Sequence, residues 1–313
     1  TMSDIITNNT LVMDGIQVGG TMHKEWNTHE IDTSNTINGK PVYYLKNMNG
    51  GKVPAGAGQV ILANCTNIVV ENQNVSQGAW GIEVGFSSNC TIINNTANMN
   101  KMAGIHLYSS HYNTISSNNA SFNNYTGIHI SESNDNTLKN NTVNWNDNYG
   151  IGLFGSLRNS LEINRIGFNM DCGAYIYSSW SNQIFHNSFT DNVNQAYDDS
   201  PPDQWHNGYP SGGNYWSDYA GTDTMNGSTQ DIPGSDGIGD TPYTNIGGGA
   251  GAQDNYPLMG PFNGTLPTPS DATPPTSSLN LISPYWRNTS PLAITATASD
   301  ADSEVANVTL WYR

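Results

Sequence analysis

The stretch GIHLYSSHYNTISSNNASFNNYTGIHISESNDNTLKNNTVNWNDNYGIGLF, residues 104–154, contains two similar segments and the start of a third. Each segment opens on a glycine, and the glycines are 23 residues apart. The same step continues in both directions and gives a glycine column of Gly58, Gly81, Gly104, Gly127, Gly150 and Gly173. A fixed period of 20 to 50 residues is typical of repeat proteins, in which neighbouring units bury each other's apolar faces.

Asparagine recurs on the same period in three columns. The first is Asn72, Asn95, Asn118, Asn141, Asn164 and Asn187; the second is Asn100, Asn123, Asn146, Asn169 and Asn192; the third, interrupted by Cys90, is Asn67, Asn113, Asn136, Asn159 and Asn182. An amide can donate to one neighbour and accept from the next, so stacked asparagines are expected to form ladders at turns. The glycine column is expected to mark turns that need a positive φ.

Between these polar columns run short alternating apolar segments, which predict strands and not helices. The sequence therefore predicts an all-β fold: a right-handed parallel β-helix of 23-residue coils, stacked about 4.8 Å apart.

The period also divides the chain. We expect aromatic residues near the end of the array to pack as a cap, because a solenoid has to cover its last apolar coil; these are Trp205, Tyr209, Tyr215 and Trp216. The predicted parts are a partial N-terminal coil with a β-hairpin insertion turned at Asn38-Gly39 (1–57), the β-helix coils (58–197), a C-terminal cap with an acidic loop (198–264), a Pro/Ser/Thr linker (265–275), and an incomplete immunoglobulin-like β-sandwich (276–313).

The coils, followed by GNYWSDYAGTD, DGIGDTPY and DNYPLM within residues 213–259, resemble the NosD-like "carbohydrate-binding and sugar hydrolysis" group of right-handed parallel β-helix proteins. The resemblance covers roughly residues 58–259. It is strongest to archaeal cell-surface members, in which such helices are joined to immunoglobulin-like modules. The namesake takes part in copper maturation of nitrous oxide reductase, so the resemblance also implies a possible link to copper.

Charge and cysteine content exclude several classes of protein. Asp and Glu outnumber Lys and Arg by 26 to 10, a formal net charge of −16, which argues against a nucleic-acid partner. The visible chain has no apolar run long enough for a membrane span. Cys65, Cys90 and Cys172 lack metal-site or disulfide spacing and are interpreted as buried small residues. Many Asn-x-Ser/Thr sequons favour an extracellular, cell-surface glycoprotein.

An acidic, Gly-rich loop provides the first candidate metal site. Oxygen ligands on a flexible loop suit Ca²⁺. The loop, residues 222–243, contains Asp223, Asp231, Asp236 and Asp240, and its alternative interpretation is a solvated acidic turn.

A second candidate lies two residues after each glycine, at outward positions occupied by Glu83, His106, His129, Gly152, Tyr175 and Asp198. His106 and His129 should stack one coil apart, and with Glu83 they form a possible transition-metal site, for copper in particular. The alternative is an exposed sheet face without a site.

If the protein is an enzyme, its candidate catalytic acids are Asp171, Asp191, Asp198 and Asp199, and Trp145, Tyr175, Tyr177 and Trp180 offer rings for sugars to stack on. Carboxylate pairs of this kind hydrolyse glycosides when they flank a groove. No complete catalytic motif accompanies them, so the favoured prediction is a structural or adhesive surface protein whose partners are other copies of itself or a surface polysaccharide. A β-helix polysaccharide hydrolase or lyase and a copper-binding accessory protein remain alternatives.

Overall fold

The computed structural model describes residues 2–266, 276–279 and 296–299. In these residues the chain winds into a β-solenoid of about nine turns. Their one helix is the single-turn α1 (Lys24–Asn27), and none of their helices is long and apolar enough to cross a membrane.

The N-terminal part contains the strands β1 (Ile5–Ile6), β2 (Thr10–Leu11), β3 (Glu30–Ile31), β4 (Thr36–Ile37), β5 (Lys40–Lys46) and β6 (Asn49–Lys52). The regular coils contain β7 (Gln59–Ala63), β8 (Thr66–Glu71), β9 (Ile82–Gly85), β10 (Thr91–Ile93), β11 (Ala103–Tyr108), β12 (Thr114–Ser116), β13 (Thr126–Ser131), β14 (Thr137–Lys139), β15 (Tyr149–Phe154), β16 (Ser160–Glu162), β17 (Arg165–Gly167), β18 (Cys172–Tyr177), β19 (Gln183–Phe185), β20 (Ser188–Thr190) and β21 (Asn194–Asp198). The C-terminal part contains β22 (Tyr215–Trp216), β23 (Met225–Asn226), β24 (Ile232–Pro233) and β25 (Ile246–Gly247), and β26 (Thr276–Leu279) pairs antiparallel with β27 (Ala296–Ser299).

Three sheets share the coils. An eleven-stranded sheet runs β2-β4-β5-β7-β9-β11-β13-β15-β18-β21-β25, a seven-stranded sheet runs β19-β16-β14-β12-β10-β8-β6, and a three-stranded sheet runs β17-β20-β22. All neighbours in these sheets are parallel except β4 and β5. His106 faces His129 and Ile115 faces Leu138, which confirms the 23-residue step and the predicted parallel β-helix.

The interior is a stack of branched apolar side chains. Ile105, Leu107 and Ile115 of one coil are fully buried, as are Ile128 and Ile130 of the next. Because successive coils have the same register, each of these residues packs directly on its equivalent one coil away. The predicted burial of Cys65, Cys90 and Cys172 is confirmed, and all three are free thiols.

The asparagine columns form continuous hydrogen-bonded ladders. The backbone N–H and side-chain Nδ2 of Asn118 both donate to Oδ1 of Asn141, each at 3.0 Å. Nδ2 of Asn118 also donates to the carbonyl of Ile92 at 2.9 Å. Oδ1 of Asn118 in turn accepts from Asn95 of the preceding coil. The amide is therefore satisfied inside a buried site, where an unpaired polar group would be strongly destabilising.

Two predicted ladder members lie elsewhere. Gln73, and not Asn72, donates its backbone N–H to Asn95 Oδ1. Asn72 and Asn67 instead occupy corners with φ of 54° and 55°. The coil that contains them is one residue shorter than the later coils, since Val70 pairs with Ile92. A serine ladder was not predicted: Ser87, Ser110, Ser133, Ser156 and Ser179 bond in the same manner.

Four corners in each coil have left-handed backbone. In one coil they are Ser109, Tyr112, Ser117 and Phe122, with φ between 44° and 59°. Each comes immediately before a ladder residue, which fixes the corner through hydrogen bonds. A left-handed non-glycine residue costs roughly 1–2 kcal/mol, so the ladders have to offset this strain at every turn of the chain.

The glycine column has a different role from the predicted one, and the positive-φ prediction is wrong. Its members are not among the positive-φ residues. A Cβ on Gly104 would lie 2.6 Å from the carbonyl oxygen of Ala97, and one on Gly127 would lie 2.7 Å from the carbonyl oxygens of Ala120 and Gly150. Glycine is required there because adjacent backbones approach closely, not because of its conformational freedom.

Both ends of the solenoid are covered by aromatic packing. At the N-terminal end, the hairpin predicted at Asn38-Gly39 is present between β4 and β5, and Trp26 of α1 packs on the outer face beside Tyr108. At the C-terminal end, the predicted cap residues Trp205 and Trp216 are each 1% exposed. Apart from β26 and β27, the predicted immunoglobulin-like module lies outside the described residues.

The ladders make a quantitative prediction. Asn123 Oδ1 accepts from the backbone N–H and Nδ2 of Asn100, at 2.9 and 3.2 Å. Asn123→Ala leaves these buried donors unpaired and is expected to lower the free energy of unfolding by about 2–4 kcal/mol. Urea unfolding followed by circular dichroism measures this loss. Asn124→Ala, at the exposed next position, is the control and should change stability by less than about 0.5 kcal/mol. Equal losses in both variants would contradict the structural role of the ladder.

Candidate functional site

The outer side of the eleven-stranded sheet carries a continuous group of rings, called the aromatic face below: His106, His129, Tyr149, Phe154, Tyr175, Tyr177 and Tyr197. All but Tyr149 project outward because their neighbours along each strand, such as Ile105 and Leu107, point into the core. Tyr149 begins β15, and its ring lies against that of Tyr175. The rings of Tyr149 and Tyr175 are stacked at 4.4 Å, and those of Tyr175 and Tyr197 at 4.7 Å. This spacing follows from the distance between adjacent strands.

The stacking determines what the aromatic face can offer to a ligand. Tyr175 uses one ring face on Tyr149 and the other on Tyr197. Its edge and hydroxyl are left for solvent or a ligand. Burial raises the pKa of Tyr149 to about 12, and burial is also the main cause of the raised pKa of Tyr175. The phenols therefore stay protonated at neutral pH, and each can donate and accept hydrogen bonds.

The predicted stacking rings differ in how much of their surface is free. Tyr175 has both faces covered, and Trp145 has Phe168 stacked on it at 4.5 Å. Tyr177 is 47% exposed and lies alongside Tyr175. Trp180 is also 47% exposed, and in the described part of the chain no ring packs against it. It is the side chain of the four that is best placed to stack on a sugar.

The two histidines are neighbours, as predicted, but they are not on an open surface. Their rings lie 5.2 Å apart, between Trp80 on one side and Phe154 on the other. The Nδ1 atoms of both are buried and have no hydrogen-bond partner among the residues that the structure describes. Burial lowers the pKa of His106 to about 3 and that of His129 to about 4. Both imidazoles are therefore neutral at physiological pH.

Glu83 is in the same column of the sheet as His106 but is fully buried, so its position is not an open one. It lies opposite His106 in the sheet, but its Oε1 accepts from Gln59 Nε2 at 2.8 Å. Gln59 in turn bonds to the backbone of Ile16, so the N-terminal segment covers this end of the face. No group of three or more His, Cys, Asp or Glu side chains in the described residues is arranged to hold a metal ion. The transition-metal site with Glu83 as third ligand stays a prediction.

The four candidate catalytic acids lie in three different environments. Asp171 and Asp199 flank Tyr175 closely enough to raise the pKa of its phenol. Asp191 accepts from Ser217 Oγ at 3.1 Å, at a different corner of the coil. Asp198 does not continue the outward column, since Tyr197 pairs with Tyr175 and Asp198 pairs with Ile176. It is buried, and Trp205 Nε1 donates to it at 3.0 Å.

Asp203 is an acid that sequence reasoning missed. Its Oδ1 accepts the backbone N–H of Asn182 at 2.7 Å, so it ends an asparagine ladder with a carboxyl. Burial raises its pKa to about 7, and its Oδ2 is buried with no hydrogen-bond partner in the described ranges. The ladder spacing changes from 23 to 21 residues at this step, and for that reason the sequence period does not reveal it.

In the acidic loop, the carboxylates bind backbone and hydroxyl donors. Asp223 accepts from the backbone N–H groups of Asp236 and Gly237. Asp240 accepts from the N–H groups of Thr224 and Met225 and from the hydroxyl of Thr222. Asp231 accepts from the hydroxyl of Thr229. Hydrogen bonds therefore account for the loop's conformation, and calcium at Asp223, Asp231, Asp236 and Asp240 stays a prediction.

The fold and the outward rings define a class: a parallel β-helix repeat protein with a polar aromatic face. The chain belongs to the NosD family, whose model, described as "Periplasmic copper-binding protein (NosD)", matches residues 4–221. No curated protein sequence matches the chain.

Several solved β-helix enzymes are similar to the chain in structure. A variant of the periplasmic alginate epimerase AlgG aligns with 64% of this chain and 48% of its own, at 18% identity and a TM-score of 0.44. The match thus spans about half of that enzyme. The A-module of the mannuronan C-5 epimerase AlgE4 of Azotobacter vinelandii aligns with 60% of this chain and 69% of its own, at 14% identity and a TM-score of 0.36. Both are too distant for their activities to be assigned to this chain.

The buried acid at position 83 predicts a pH effect. Burial raises the pKa of Glu83 well above its usual value, so the folded state holds a proton that the unfolded state releases above about pH 4.3. Its contribution to stability is complete below that pH and is lost as the pH rises towards the folded-state pKa. Glu83→Gln should therefore gain stability relative to the wild type between pH 4 and 8, by at least about 1 kcal/mol.

Thermal unfolding across that pH range measures this difference. Glu132→Gln removes a carboxylate from an exposed position and serves as the control, which should show no comparable gain. A difference between the Glu83→Gln variant and the wild type that does not change with pH would mean that the carboxyl is solvated in the folded protein.

Proposed function

We propose that the protein is a periplasmic or extracellular repeat protein that binds an uncharged glycan chain along its aromatic face. The observation that carries the proposal is the row of stacked rings of Tyr149, Tyr175 and Tyr197, with centroids 4.4 and 4.7 Å apart. Tyrosine combines an apolar body with a polar tip and is well suited to a ligand that has both CH and OH groups.

The shape of the face suits an extended ligand. The aromatic face spans five strands from β11 to β21 in the eleven-stranded sheet, a length of roughly 19 Å at the usual strand spacing. A linear polymer can contact many such positions without a deep pocket, and regular outward side chains provide equivalent contacts along its length.

The charge around the face favours a neutral glycan. Asp171 and Asp199 flank Tyr175, and the whole chain carries a formal charge of −16. Carboxylates accept hydrogen bonds from sugar hydroxyls but repel a polyanion. The family description, which refers to a periplasmic protein, supports a location outside the cytoplasm.

The test removes hydroxyls and keeps rings. In a Tyr175→Phe, Tyr197→Phe variant the ring stack persists while two hydroxyls are lost, so affinity for a neutral polysaccharide should fall about tenfold with no change in melting temperature. Affinity electrophoresis against neutral and uronic-acid polysaccharides measures this. Tyr112→Phe, at a 60% exposed tyrosine on another corner, is the control.

Other outcomes separate the alternatives. Unchanged retention of the double variant contradicts glycan binding on this face. Release of shortened or unsaturated products would favour a hydrolase or lyase. Concentration-dependent assembly without glycan binding, seen by electron microscopy, would favour a surface layer or filament built from copies of this chain.

A second candidate function, copper binding, has one specific observation in its favour. The Nδ1 atoms of His106 and His129 are buried without partners, and their lowered pKa values keep both imidazoles neutral. A neutral imidazole is the form that binds copper, and no proton has to be displaced first. The two Nδ1 atoms can supply two of the ligands of a copper ion. Because they lie between Trp80 and Phe154, bound metal would be shielded from water.

Copper titration of the intact protein tests this candidate. The wild type is expected to bind one copper ion, with a change in the imidazole NMR signals, and a His106→Phe, His129→Phe variant is expected to bind none. His111→Phe changes a histidine on another corner of the coil and is the control. Equal copper uptake by the wild type and the double variant would rule out this pair as the site.

A further inference from the structure

A groove lies on the outer side of the three-stranded sheet, away from the aromatic face. Its volume is about 390 Å³, and its lining includes Arg165, Gly167, Phe168, His186, Ser188 and Phe262. The sheet forms the floor, and two rows of left-handed corners form the sides, one ending in His186 and the other passing through Phe168. Neither the family match nor the predictions from sequence assign a ligand to this groove.

The floor is open because of a glycine. Gly167 is the last residue of β17, and its N–H donates to Asn144 Oδ1 at 2.8 Å. A Cβ at this position would lie 3.0 Å from the carbonyl oxygen of Thr190. The outward side chain of the neighbouring coils is therefore missing here, and the hydroxyls of Ser188 and Thr190 line the space beside it.

One wall is rigid and uncharged. The ring of Phe262 stacks on His186 at 3.8 Å, with an angle of 6° between the planes. His186 Nε2 lies 2.7 Å from the carbonyl oxygen of Ser211 and donates to it. Burial lowers the pKa of His186, so the wall is neutral at physiological pH.

The opposite wall is the end of an aromatic stack. Phe122, Trp145 and Phe168 follow one another on successive coils, and Trp145 and Phe168 are nearly parallel at 4.5 Å. The next residue in this column is Asp191, 23 positions later. In the described residues, Phe168 therefore has a ring neighbour on one face only, and a flat ligand can continue the stack on the other.

Arg165 brings a positive charge into this groove. Lys139 is paired with Glu162 at 3.0 Å, and Arg158 with Asp135 at 2.8 Å. Arg165 is exposed and makes no ion pair within the part of the chain that the structure describes. Pairing would be expected for a structural arginine in a chain with a net charge of −16. An unpaired guanidinium beside a cavity is instead available to a ligand.

We propose that this groove binds a single sugar ring that carries a carboxylate, a uronic acid. The planar guanidinium of Arg165 matches a carboxylate in a two-bond arrangement. The CH face of the ring packs on Phe168, and the sugar hydroxyls reach Ser188 and Thr190. The ligand carries one charge, because Arg165 is the one cation in the groove lining without an ion pair among the described residues, and the acidic surface repels a polyanion. This site is separate from the aromatic face and does not depend on glycan binding there.

Calorimetric titration of the intact protein at low salt with glucuronate, glucose, acetate and inorganic phosphate tests the proposal. Glucuronate is expected to bind with a dissociation constant of roughly a millimolar, as befits a small ligand with a single charged contact, and more tightly than glucose or acetate. Arg165→Gln should weaken glucuronate binding at least about tenfold. Phe168→Leu should weaken glucuronate and leave acetate unchanged.

The controls separate this site from general charge effects and from the aromatic face. Arg158→Gln changes the net charge by the same amount at another corner and should leave binding intact. The Tyr175→Phe, Tyr197→Phe double variant should also leave glucuronate binding intact, whatever effect the double variant has on the binding of neutral glycans. The proposal is overturned if glucose binds as well as glucuronate, if phosphate binds more tightly than glucuronate, or if Arg165→Gln and Arg158→Gln have the same effect.

Discussion

The structure depends on one interaction, the hydrogen bond between a buried asparagine amide and the backbone and amide of the coil before it. Asn118 shows the full pattern: its Oδ1 accepts two N–H groups from Asn95, and its Nδ2 donates to the carbonyl of Ile92 and to the next amide, Asn141. A coil has to turn sharply within the solenoid wall, where backbone N–H groups would otherwise be buried without partners. The ladders satisfy these groups and set the register, so the apolar side chains of successive coils meet.

Two other constraints follow from this arrangement. The corner residues, such as Tyr112 and Phe122, have left-handed backbone, and the ladder residues that follow them hold that strained conformation in place. The column through Gly104 and Gly127 leaves no space for a Cβ. A side chain at these glycine positions would push adjacent coils apart. This separation would lengthen the hydrogen bonds of the ladders and also disturb the packing of the core. The residue type is therefore fixed at the ladder and glycine positions of the repeat, whereas the outward positions accept many residue types.

Because the outward residue types vary, the outer surfaces of the eleven-stranded and three-stranded sheets carry different side chains. On the eleven-stranded sheet, the outer surface carries tyrosines whose rings cover one another. On the three-stranded sheet, a glycine opens the floor next to Arg165, which has no ion pair in the described part of the chain. The acids interpreted as catalytic candidates are divided among these regions and the cap, where Asp198 binds Trp205. That hydrogen bond gives Asp198 a structural role in the cap, and its catalytic role stays a prediction.

The sequence by itself determined the parallel β-helix, its 23-residue step, the pairing of His106 with His129 on adjacent coils and the ladder from Asn100 to Asn192, because in a solenoid a fixed interval along the chain becomes a direct contact in space. Only the tertiary structure decided what the period does not encode. Glu83 is buried because the N-terminal segment folds back over it, Asp203 ends a ladder across a shortened coil, and the glycine column is needed for close packing. The groove at Arg165 is closed on one side by Phe262, almost a hundred residues away in the chain. These features depend on side-chain direction and on contacts between parts that do not share the period, so identical sequence intervals cannot reveal them.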